Sequence, residues 1–89
     1  MKDQKITICV ERGYYFGGEI ENGNLSLVSE IYGDDFESER HYEFSQQETT
    51  RLFEIVSVDE VVEICKQKGS RGLDDFLREH QITCQRVTI

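Results

Sequence analysis

The chain has 89 residues, 37 % hydrophobic and 31 % charged, enough for one modest core and too apolar for a disordered tail. Eighteen acids against ten bases leave a net charge of −8, a field that repels DNA, RNA and anionic lipid and attracts basic partners. No apolar run approaches the ~20 residues of a membrane span, and no apolar segment of signal-peptide type follows Met1-Lys2. A single cytoplasmic domain over 1–89 is therefore expected.

Ile6, Ile8 and Val10 alternate with Thr7, Cys9 and Glu11, the period of a strand over 5–11. Arg12-Gly13 is a turn, and Tyr14-Tyr15-Phe16 opens a second strand that runs towards Ile20. Gly17-Gly18 inside it predicts a bulge or a close backbone approach. Asn22-Gly23 is a strong hairpin signal, because both residues tolerate positive φ. Leu25 to Ile31 is the return strand, and Tyr32-Gly33-Asp34-Asp35 turns again. From Glu39 to Phe44 the pattern puts Arg40, Tyr42 and Phe44 on one face and Glu39, His41 and Glu43 on the other.

The period then changes. Ser45…Glu48 and Ser57…Glu60 are two capping boxes twelve residues apart. Leu52, Phe53 and Val56 follow the first at helical spacing. Val58, Val61, Val62 and Cys65 form the stripe of the second. Gly69 suits the stop after Lys66 and Lys68, and Ser70-Arg71-Gly72 forms a connector. Leu73, Phe76 and Leu77 predict a third short helix, with His80 capping its end. Gln85, Val87 and Ile89 alternate in a last strand over 83–89. The order β-β-β-β-α-α-(α)-β predicts an α+β fold: an antiparallel sheet of four to five strands with two or three helices on one face. The other face meets solvent or a partner.

The acidity is uneven. Glu30, Asp34, Asp35, Glu37, Glu39, Glu43 and Glu48 share the segment 30–48 with one base, Arg40. The remainder holds eleven acids and nine bases. Adjacent aromatics on a strand point to opposite faces, so Tyr15 leaves the side shared by Tyr14 and Phe16. Such a ring either lies flat on the open sheet or anchors a protein interface, where tyrosine is enriched.

Chemistry-bearing motifs are scarce. No phosphate loop, H-E-x-x-H or G-x-S-x-G occurs. Cys9, Cys65 and Cys84 match no zinc spacing and are expected as reduced thiols. His41 with Glu43 lacks a third metal ligand. Asp34, Asp35, Glu37 and Glu39 fail the spacing of a calcium loop. No catalytic residue, metal or cofactor is expected.

The segment Tyr32-Gly33-Asp34-Asp35, the strand Glu39…Tyr42-Glu43-Phe44, Leu52-Phe53 and the ending Phe76-Leu77-Arg78-Glu79-His80-Gln81-Ile82 carry a resemblance. Over roughly residues 25–89 the chain resembles small bacterial α+β proteins of the polymorphic-toxin immunity type. The resemblance implies a non-enzymatic binding protein whose basic partner could be a toxin. The partner-binding residues expected are Asp34, Asp35, Glu37, Glu39 and Glu43, flanked by Tyr15, Tyr32 and Tyr42. The alternative is a structural module, a homodimer through the open sheet face, whose acidity serves solubility alone.

Overall fold

The computed structural model describes residues 2–33 and 37–88. Five strands form one antiparallel sheet in the order β1-β2-β3-β4-β5: β1 (Gln4–Glu11), β2 (Tyr14–Glu21), β3 (Asn24–Tyr32), β4 (Glu37–Glu43) and β5 (Gln85–Thr88). Helices α1 (Gln46–Ile55) and α2 (Val58–Glu79) separate β4 from β5. The fold is α+β, with strands in sequence followed by helices.

Local chemistry accounts for most of the turns. Asn22 (φ 53°) and Gly23 (φ 81°) give the β2–β3 hairpin the two positive φ angles of a type I′ turn. The bulge falls on β1, where the register shifts between Thr7 and Cys9 opposite Gly17 and Phe16. Gly18 makes the close approach: a Cβ there would run into the Ser26 carbonyl of β3.

Alternation sends one side chain set inward. Ile6, Ile8, Phe16, Ile20, Leu25, Leu27 and Tyr42 line the sheet's inner face. Leu52 of α1 and Val61, Cys65, Leu73 and Leu77 of α2 close over them. Burying a side chain of this size is worth about 1.5–3 kcal/mol, and the helices bury only one stripe each.

Both serine caps form, but differently. Ser57 accepts from the Glu60 N–H at 3.1 Å and Glu60 reaches back to the Ser57 N–H at 3.3 Å, a complete capping box. Ser45 accepts from the Glu48 N–H at 3.1 Å. The Glu48 carboxylate does not return the bond. It takes Arg51 at 2.9 Å and the Thr83 N–H at 3.0 Å instead, a charged donor one turn on and a backbone amide that the tertiary fold brings to it.

The predicted third helix is the second half of α2. Gly69 (φ 67°, ψ −161°) breaks the helical backbone for one residue, and the segment 70–72, expected as a connector, is already helical. The helix ends at His80 in a Schellman motif, with Gln81 N–H to the Arg78 carbonyl at 3.2 Å and Ile82 N–H to the Leu77 carbonyl at 2.9 Å. Gln81 holds the left-handed position (φ 56°) where glycine is usual. The last strand starts at Gln85, two residues later than the alternation predicts. Ile89 lies outside the described residues.

Candidate functional site

The helix-free face of the sheet is built by register. Tyr15 of β2 stands opposite Glu30 of β3, and Glu30 stands opposite Glu39 of β4. Tyr32 stands opposite Glu37, while Ser26 stands between Glu19 and Glu43. Because strand side chains repeat every two residues, Glu19, Glu30, Glu37, Glu39 and Glu43 share one face with Tyr15 and Tyr32. Among the described strand residues, Lys5 and His41 are the basic groups of that face.

Cross-strand contacts shape it. His41 Nε2 meets Glu39 Oε2 at 3.1 Å, and the Ser26 hydroxyl donates to Glu43 at 2.9 Å. Glu30 and Glu39 oppose each other directly, a like-charge pairing that weakens a sheet. Tyr32 is 48 % exposed and Ile31 45 %. They line a small cleft of about 140 Å³ with Glu37, Ser38 and Glu39. The cleft pairs an apolar wall with carboxylates.

Tyr15 behaves differently. Its ring lies along its own strand over Gly17, whose Cβ, if present, would sit 2.6 Å from the Tyr15 hydroxyl. Here an aromatic covers a strand glycine, so the ring is half-buried against the sheet. The glycine pair is the signal that foretells this posture.

Of the expected site residues, Glu37, Glu39, Glu43, Tyr15 and Tyr32 share the helix-free face, with Glu37, Glu39 and Tyr32 at one end of the β3–β4 ladder and Glu43 at the other. Asp34 and Asp35 lie outside the described residues. Tyr42 is corrected: it faces inward between Leu27 and Arg86 and has no exposed surface, so it cannot touch a partner on the open face. Its alternation with Glu43 already placed it with Phe44, the core side. Glu48 leaves the acidic set too: its carboxylate is tied to Arg51 and Thr83. These contacts hold its carboxyl below the usual range, the Thr83 amide first and Arg51 second. Glu19 escapes a reading based on the 30–48 segment, because only strand pairing brings it beside Ser26 and Glu43.

Among the described residues no cluster of three His, Cys, Asp or Glu side chains could hold a metal ion. No helix is long and apolar enough to cross a membrane. All three cysteines are free. Burial pushes the Cys65 thiol up to about 12 and raises Cys9 and Cys84 as well, the opposite of what a nucleophilic thiol requires. Compared with protein-family models, curated proteins and solved structures, the chain matches none.

Proposed function

We propose that the protein is a small non-enzymatic binding module that engages a basic protein partner through the helix-free sheet face. The observation that carries this reading is the convergence of Glu30, Glu37 and Glu39 around the exposed Tyr32. The Glu30–Glu39 repulsion costs the free protein stability, and a cation seated between the two carboxylates relieves it. The Ile31–Tyr32 cleft has room for the stem of a lysine or arginine, with the charged head at Glu37 and Glu39 and the Tyr32 ring beside it. The acidic field steers approach and enforces partner choice, while tyrosine supplies contact area. An immunity-type role against a basic toxin, in the cytoplasm, is the biological form this chemistry best suits. Self-association through the same face is disfavoured, because two copies would present like charge to each other.

The test compares the wild type with Glu30→Gln/Glu37→Gln/Glu39→Gln/Glu43→Gln in capture from a native lysate, followed by association kinetics with the captured protein. A basic protein retained by the wild type and lost by the variant supports the reading. Its association rate should fall steeply with salt for the wild type and weakly for the variant. Identical captured sets, or an association rate indifferent to salt, would remove the proposal.

A further inference from the structure

The pairing of all five strands sorts the helix-free face into rows that cross the sheet. The middle row is Thr7, Gly17, Val28, His41 and Val87, one residue from each strand. It holds no carboxylate. Val28 is half-buried and Val87 is 41 % exposed, and the Tyr15 ring lies over Gly17, so the row is a largely apolar stripe from β2 to β5. The row on one side holds Glu19 and Glu43 with Ser26 between them. The row on the other holds Glu30 and Glu39. Each lies two residues from the stripe along its strands, so an apolar line runs between two acidic ones.

Spacing decides what such a surface accepts. Neighbouring strands stand about 4.8 Å apart, and residues two apart on a strand about 6.7 Å. The stripe is therefore roughly 19 Å long, and the two acidic rows stand roughly 13 Å from each other. An α-helix is about 10–12 Å across with its side chains and covers the length of the stripe in about thirteen residues. Laid along it, a helix reaches both acidic rows at once. An extended segment in the same place faces the sheet with alternate side chains only, which fill the stripe and leave none for the acidic rows. The hollow beside Gly18, about 320 Å³ with Tyr15, Val28 and His41 in its walls, has room for one large apolar side chain.

We propose that the partner meets this face with a basic amphipathic helix laid across the strands, its apolar side chains on the Val28–Val87 row and lysine or arginine on both flanks. The inference rests on the basic-partner reading above and specifies the part of the partner that docks. Charge complementarity selects this occupant. Long basic side chains cover the margins of the stripe with their stems, while their heads reach Glu19 and Glu43 on one side and Glu30 and Glu39 on the other. A second copy of the chain offers no such helix, because α1 and α2 turn their apolar stripes into their own core.

The experiment titrates the folded protein with a peptide of about 18 residues, with leucine on one helical stripe, lysine on both flanks and alanine behind, followed by amide NMR and circular dichroism at low salt. A control peptide of the same composition has leucine and lysine in strict alternation, the period of a strand. The expected result is saturable binding of the first peptide, with a gain of helix and with shifts centred on Gly17, Val28, His41 and Val87. The control should bind about tenfold more weakly. Glu19→Gln/Glu43→Gln and Glu30→Gln/Glu39→Gln should each weaken binding about fivefold, two exposed ion pairs apiece. Val28→Thr/Val87→Thr, which keeps β-branched side chains in the strands, should weaken it about tenfold. No saturable binding, equal binding of the control, indifference to either acidic row, or shifts centred away from the stripe would overturn the docked helix. So would a lysate partner that the four-carboxylate variant loses and Val28→Thr/Val87→Thr holds at full affinity, an outcome that leaves the basic-partner reading standing.

Discussion

Tyr42 offers the sharpest test of the packing argument, because its ring and its hydroxyl contribute with opposite sign. The ring is fully enclosed beside Leu27, whereas the hydroxyl has no hydrogen-bond partner. A buried hydroxyl left unpaired costs about 1–3 kcal/mol in lost hydration. Burial pushes the phenol's ionisation up, while Arg40 and Ser70 act against that push, so part of the cost is recovered by their dipoles and charge. Tyr42→Phe deletes the unpaired oxygen and keeps every ring contact. The net change should lie between zero and about 1 kcal/mol of added stability, set against the ~1 kcal/mol loss expected when a formed hydrogen bond is removed. For a domain of this size that corresponds to a melting temperature unchanged or raised by up to ~6 °C. Tyr42→Ala, which removes the ring, should cost about 3–5 kcal/mol. Urea and thermal unfolding by circular dichroism read both variants, with the urea slope unchanged in Tyr42→Phe. A loss above ~1 kcal/mol in Tyr42→Phe would show that the hydroxyl is bonded after all.

Other outcomes follow from single contacts. Glu48 has a depressed folded-state pKa, so its bonds to Thr83 and Arg51 stabilise the protein above its ordinary value of 4.5 and are lost as pH falls through the folded value. Glu48→Gln should therefore be destabilised at pH 7 and converge with the wild type in acid, as read by urea unfolding across pH. Gln81 occupies a left-handed position, and Gln81→Gly should raise stability by about 0.5–1 kcal/mol in the same assay. With its pKa near 12, Cys65 holds about one thiolate in ten thousand at pH 8. Thiol reagents should label it only on unfolding.

The strands and the fold class were legible because their signals are local. Asn22-Gly23 can satisfy the type I′ geometry wherever it occurs, and Ser57 with Glu60 needs no distant residue to cap a helix. Ser45 with Glu48 shows the limit. The same four-residue spacing is present, yet Glu48 turns away because Thr83, 35 residues on, presents a free amide. The break at Gly69 was readable from the glycine, but not its shortness: whether a helix resumes after one residue depends on the core that Leu73 and Leu77 enter.

Alternation along β4 alone separates Glu39, His41 and Glu43 from Arg40 and Tyr42, so the chain itself determined that an acidic and a mixed face lie back to back. It could not determine which acids become neighbours. Glu30 faces Glu39, and Glu19 joins Glu43 across Ser26, only through the pairing of β2, β3 and β4. Arg40, Asp74 and Arg86 meet only because α2 returns the chain so that β5 pairs with β4. Periodicity is set by bonds between adjacent residues, whereas proximity across the sheet is set by how the whole core closes.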